Sequence, residues 1–232
     1  MKCCIIGHPR TRSSVLLASL CSQYEIPIIG ENGNNLGNSP SHIYLQLVRG
    51  WLKQIESKKE GVVRIHPTQL SLLQNTRNSK MIDISWLNLT RYNKIYFTVR
   101  KNISDMISSL FIASTLDKFT YLDKKEVHQN IERITLTPNS YFQTVEILLY
   151  SEFIMDELKK YLTLNSIDWE ELDYDTIPKH IEEKYSTATT THVETRYDYC
   201  SLVTNYDELQ TIYDQLKPVV LQRFLADNIV DK

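Results

Sequence analysis

Three short stretches of this chain carry the residue types that hold anions or move protons. The first is Gly7-His8-Pro9-Arg10-Thr11-Arg12-Ser13-Ser14. Two arginines and three hydroxyls lie side by side over residues 10–14. Such a run offers charged and neutral donors to a phosphate or sulfate group. The second is Arg64-Ile65-His66-Pro67. Arg64 and His66 are two residues apart, which puts both on one side of an extended segment. A histidine with an ordinary pKa of about 6.5 is suited to general-base work. Taken without its neighbours, His66 reads first as a hydrogen-bonded structural histidine. The third stretch runs from Arg100 to Ser108. Taken without the others, it is an exposed arginine followed by a mid-helix serine.

These residues need elements to position them. Lys2-Cys3-Cys4-Ile5-Ile6 reads as a short buried strand, and Gly7 through Arg12 as a turn. Ser13 to Tyr24 places Leu16, Leu17, Leu20 and Tyr24 at helical spacing. As an ordinary turn into a helix, this segment takes Ser13 as its N-cap. A helix that starts there points backbone N–H groups and the positive end of its dipole at the turn. Ile26 to Ile29 is a second apolar run. Gly30 to Pro40 is a glycine- and asparagine-rich loop, and a helix follows it with Tyr44, Leu47, Trp51 and Ile55 on one face. Gly61 to His66 and Lys94 to Arg100 read as buried strands, and Ser104 to Ser114 as a helix. Strands alternating with helices predict a parallel α/β sheet. Such sheets seat ligands at the carboxyl ends of their strands. Gly7, His66 and Arg100 each fall at such an end. Further on, Phe142 to Leu162 predicts a long helix and Glu171 to Asp175 a short edge strand. Tyr206 to Phe224 predicts a final helix interrupted at Pro218.

Taken together, these segments resemble the sulfotransferases that use 3′-phosphoadenosine 5′-phosphosulfate (PAPS) as donor. That family opens with a strand, then Gly-x-Pro-(Lys/Arg)-(Ser/Thr)-Gly-(Thr/Ser)-(Thr/Ser), then a helix. Gly7, Pro9, Arg10, Thr11, Ser13 and Ser14 match, and Arg12 stands where the family has glycine. A family strand ends in arginine with a serine eight residues later, as Arg100 and Ser108 do. The proline that usually follows that arginine is missing. Arg64-Ile65-His66-Pro67 is similar to the family's Lys-x-His-x-Pro, with arginine for lysine and the proline one place early. The resemblance covers residues 3–24 and 61–116 well and the rest loosely.

The resemblance implies a P-loop-like sulfotransferase fold over a single domain, residues 1–232, with a mostly helical C-terminal half. It implies transfer of a sulfuryl group from PAPS to an acceptor hydroxyl, with a carbohydrate among the acceptor classes. Arg10 then stabilises the leaving phosphate and His66 takes the acceptor proton. Thr11, Arg12, Ser13 and Ser14 cradle the 5′-phosphate with Arg10, while Arg100 and Ser108 hold the 3′-phosphate. No metal is implied. Glu31 is the alternative base, as in carbohydrate-directed members, and Arg196 is a further donor-side candidate. The tyrosines Tyr197, Tyr199, Tyr206 and Tyr213 read either as a sugar-stacking surface or, more simply, as core. Two other readings stand beside the transferase. One is a non-catalytic nucleotide-binding relative. The other is a P-loop kinase, which wants lysine at position 13 and a carboxylate-ended strand for magnesium.

Composition narrows the rest. The net charge of −2 conceals a split. Residues 1–116 hold 14 Lys and Arg against 6 Asp and Glu, a net of +8, and residues 117–232 hold 12 against 22, a net of −10. The basic half is therefore where an anion is expected. It lacks the aromatic–basic interleaving of a nucleic-acid binder. The four cysteines match neither a zinc pattern nor a disulfide framework, which predicts a reducing, cytoplasmic location. No apolar run reaches membrane-spanning length, and no signal peptide is read at the start.

Overall fold

The computed structural model describes residues 1–8, 11–30, 50–51, 53–67, 88–115, 133–184 and 198–228. The apolar runs of the first half form strands because both of their faces are covered. In β1 (Lys2–Gly7) all six residues are buried, as are all five of β3 (Gly61–Ile65). That is why these strands read as continuous apolar runs with no alternation. With β2 (Ile28–Gly30), β4 (Lys94–Val99) and β5 (Trp169–Asp173) they make an all-parallel five-stranded sheet in the order β2-β3-β1-β4-β5.

Helices cover both faces. Helix α1 (Ser13–Tyr24) packs Leu16, Leu17 and Leu20 on Cys3, Ile5, Val62 and Tyr96, joined by Ile177 and Ile181 of α4 (Ile177–Lys184). The opposite face, through Cys4, Ile6, Val63, Ile95 and Phe97, packs on α2 (Ile103–Thr115), α3 (Pro138–Leu164) and α6 (Leu209–Asn228). A short α5 (Tyr199–Leu202) and a 3-10 turn at Tyr206–Glu208 lead into α6. This is the α/β class expected of the sequence. No helix among the described residues is long and apolar enough to cross a membrane.

Three local expectations are corrected. The edge strand spans Trp169–Asp173, two residues earlier than Glu171–Asp175. Trp169 pairs with Ile95 and sets its ring edge-on to Phe97 at 5.7 Å, which fixes the register and leaves Tyr174 and Asp175 to the following turn. The last helix runs through Pro218 without interruption. Pro218 and Asp214, whose carbonyl a proline at this position cannot bond, are both exposed, while Tyr213 and Val220 hold both halves in the core. Ser13 is the first helical residue and not the N-cap, a position that Arg12 takes.

The chain leaves β1 toward β2 and leaves β4 toward β5, although β1 and β4 are neighbours. Their connections thus diverge to opposite faces, and the edge outside two such carboxyl ends is where parallel sheets seat ligands. Gly7 and Thr98 pair at that edge. A Cβ on Gly7 would stand 1.9 Å from Thr98 Oγ1, so only glycine allows this approach.

Candidate functional site

The turn after β1 is tied to the end of β4. The Thr11 hydroxyl donates to the His8 carbonyl at 2.6 Å and lies 2.8 Å from Thr98 Oγ1. Thr11 and Thr98 are both fully buried. The Thr11 hydroxyl therefore links His8, after β1, to the end of β4. Helix α1 then starts from Arg12, whose φ of 58° and ψ of 17° lie in the left-handed region. The Arg12 side chain makes no capping hydrogen bond. Its first bonds run from the Val15 and Leu16 amides to the Arg12 carbonyl, so the earlier amides of Ser13 and Ser14 have no acceptor within the helix.

Three guanidinium groups gather along this edge. Arg12 and Arg64 are each 8% exposed, and the side chain of Arg100 is 6% exposed. Arg64, on β3, donates to the Ser14 hydroxyl on α1. That bond fills a lone pair of Ser14 and leaves its proton to donate elsewhere. Arg12 and Arg100 meet on one residue, Tyr174, in the turn after β5. Their guanidinium carbons lie 3.9 and 4.2 Å from its ring centroid, and so no more than about 8 Å from each other. Arg12 also donates to the Tyr174 carbonyl, and the Tyr174 amide donates to the Val99 carbonyl at 2.8 Å. One tyrosine, bolted to the end of β4, thereby gathers the arginine of the first turn and the arginine of the β4 end.

Arg100 has further partners. The Tyr199 ring lies 5.4 Å from it, and Asp105 accepts a hydrogen bond from its Nη2 at 2.8 Å. Burial works against the Arg100 charge, but Tyr199, Tyr174 and Asp105 outweigh it and raise its pKa. Ser108 lies in the second turn of α2, fully buried, and its Oγ meets no hydrogen-bond partner among the described residues. A buried hydroxyl left this way is destabilising by about 1–3 kcal/mol.

His66 follows β3 and is 8% exposed. Its Nδ1 lies 2.7 Å from the Gly7 carbonyl. A carbonyl only accepts, so Nδ1 carries the proton and Nε2 carries the lone pair. Burial, then the charge of Arg64, pushes its pKa down to about 4 against the pull of the Gly7 carbonyl. His66 is therefore neutral near pH 7, as a proton acceptor must be, though a weak one.

Of the residues singled out in the sequence, the structure brings Thr11, Arg12, Ser13, Ser14, Arg64, His66 and Arg100 to one edge of the sheet, with Ser108 in the helix that follows. Arg10, Glu31, Arg196 and Tyr197 lie outside the described residues. Two further residues belong to this edge. His8 is 4% exposed, and its Nε2 meets no hydrogen-bond partner among the described residues. Burial and neighbouring His66 push its pKa down to about 3. Tyr174 is the other; the sequence places it inside an edge strand of residues 171–175, whereas in the structure it follows the last strand residue, Asp173. Among the remaining tyrosines, Tyr199 and Tyr213 are buried, and Tyr206 donates to Asp105 at 2.6 Å.

Comparison with protein-family models, with curated proteins and with solved structures finds no match.

Proposed function

We propose that the chain is a P-loop-like sulfotransferase that binds PAPS at the edge outside the β1 and β4 ends and passes its sulfuryl group to an acceptor hydroxyl. The observation that carries this reading is the meeting of Arg12 and Arg100 on Tyr174 at that edge. Two nearly desolvated cations held about 8 Å apart at most, beside a helix start that the Arg12 side chain does not cap, suit a ligand with two anionic groups. The left-handed backbone at Arg12 lends further support. It is the conformation that glycine adopts most readily, and glycine is what the family motif has at that position.

In this reading Arg10 stabilises the charge that builds on the leaving phosphate, in a loose in-line transfer governed by positioning and electrostatics. The Ser13 and Ser14 amides and hydroxyls cradle the 5′-phosphate with Thr11 and Arg12. Arg100 and Ser108 take the 3′-phosphate, which gives the buried Ser108 hydroxyl its partner. His66 accepts the acceptor proton at Nε2. A bound anion beside Arg64 offsets the charge that lowers the His66 pKa, so donor binding raises the basicity of His66. The four free thiols accord with a cytoplasmic location.

A second reading, a non-catalytic nucleotide-binding relative, is favoured by one observation, the low basicity of His66. Calorimetry with adenosine 3′,5′-bisphosphate, and with ATP and magnesium as control, tests the binding that both readings share. Selective binding of the bisphosphate, weakened at least tenfold in Arg12→Ala and in Arg100→Ala, is expected. Preference for ATP with magnesium would move the protein to the kinase class. Sulfuryl transfer from labelled PAPS, lost in His66→Ala while binding persists, separates the enzyme from the non-catalytic relative.

A further inference from the structure

Arg100 already faces a carboxylate of its own chain. Its Nη2 donates to Asp105 Oδ2 at 2.8 Å, through one nitrogen and one oxygen. A single contact of this kind is weaker than the two-pronged fork that arginine makes with carboxylates and phosphates. The other oxygen of Asp105 is held elsewhere, for Tyr206 donates to Oδ1 at 2.6 Å. The Asp105 amide donates to Asn102 Oδ1 at 3.0 Å, which fixes its backbone at the start of α2. The Asp105 side chain is 26% exposed and that of Arg100 6%, so the acid is the partner nearer to water. Among the described residues the Asp105 carboxylate thus has two attachments, only one of which is the arginine. If Arg100 is taken by another anion, the carboxylate keeps Tyr206 and solvent.

We propose that Asp105 is a built-in counter-ion, which neutralises Arg100 in the empty site and is displaced when an oxoanion arrives. This rests on Arg100 being a ligand-binding arginine, as in the reading above. The consequence is regulatory. Every anion that enters exchanges against Asp105, which lowers its affinity and supplies the competing charge when it leaves. Tyr206 keeps its bond to the displaced carboxylate, which so stays tied to the segment that enters α6.

A purely structural Asp105 predicts something different. Its place in the first turn of α2 favours a negative charge there, so its removal would weaken folding and leave anion affinity unchanged. The test is calorimetry with sulfate and with methyl sulfate, which share a face of three terminal sulfuryl oxygens but carry two charges and one. Asp105→Asn keeps an acceptor for Arg100 and removes the charge. Sulfate is expected to bind Asp105→Asn about five- to tenfold tighter than the unaltered chain, and methyl sulfate about two- to threefold tighter. The gain grows with ligand charge because the repulsion removed is electrostatic. It is expected to vanish in Asp105→Asn combined with Arg100→Ala.

Unchanged or weaker sulfate binding by a folded Asp105→Asn protein would overturn the proposal. So would an equal gain for both anions, or a gain that survives loss of Arg100. Adenosine 3′,5′-bisphosphate, titrated in parallel, judges the nucleotide reading separately. If sulfate follows the expected pattern while the bisphosphate binds no better than sulfate, the counter-ion stands and the nucleotide site falls. If neither protein binds any of the three anions, both fall.

Discussion

His8 and His66 are buried and neutral in the folded chain, with pKa values pushed down to about 3 and about 4. Once unfolded, both return to about 6.5. Below that pH the unfolded chain takes up protons that the folded chain refuses, so stability falls as the pH drops from about 6.5 toward 4. Each histidine contributes a slope of up to about 1.4 kcal/mol per pH unit. Thermal unfolding followed across this window is expected to show the loss, and His8→Gln or His66→Gln to remove its share. Arg12 offers a second test at this scale. A left-handed backbone at a non-glycine residue is unfavourable by about 1–2 kcal/mol. Its stacking on Tyr174 is worth a similar amount when desolvated. Arg12→Gly is therefore expected to leave stability within about 1 kcal/mol of the parent while weakening binding of the bisphosphate at least tenfold. Chemical denaturation and calorimetry on the same variant check both halves of that statement. The types of these residues were plain in the sequence. The desolvation that shifts the histidines was not, because it depends on what α3, β3 and the turn bring around them.

Among the elements, the union of β1 and β4 is the most sensitive. Gly7→Ala drives a methyl group into Thr98 Oγ1, and a loss of about 3 kcal/mol or more is expected in chemical denaturation. The other end of β1 carries a different device. Lys2 is 3% exposed, and its Nζ donates to the Ile55 and Lys58 carbonyls at 3.1 Å each while lying 5.0 Å from the Tyr92 ring centroid. It closes the C-terminal end of the helical residues 53–57. Lys2→Met is expected to lower stability by about 1–3 kcal/mol, read as a shift in the denaturation midpoint, with no change in anion affinity. That lysine gave no signal in the sequence beyond opening a strand. The strands themselves were legible, because a strand covered on both faces is a continuous apolar run. The start of β5 and the passage of α6 through Pro218 were not legible. The first depends on Trp169 meeting Phe97 from another strand. The second depends on which side of the helix faces water.

Over the whole molecule, the charge split of the sequence does not map onto a basic site and an acidic remainder. The edge holding Arg12, Arg64 and Arg100 is completed by Tyr174 and Tyr199 from the acidic half. Tyr174 is therefore expected to control the site as a positioning residue. Tyr174→Phe keeps the ring and the carbonyl and is expected to retain bisphosphate binding. Tyr174→Leu removes the common platform of the two arginines and is expected to weaken binding about tenfold, with the affinity recovered in the phenylalanine variant. The sequence by itself determined the α/β class, the positions of the first-half strands and the three chemical stretches at their carboxyl ends. These follow from local periodicity and from where apolar runs stop. Only the tertiary structure decided that β4 lies beside β1, that Tyr174 draws Arg12 and Arg100 together, and that Asp105 faces Arg100. Those contacts join elements up to 162 residues apart, and no pattern within one element encodes which other element will fold against it.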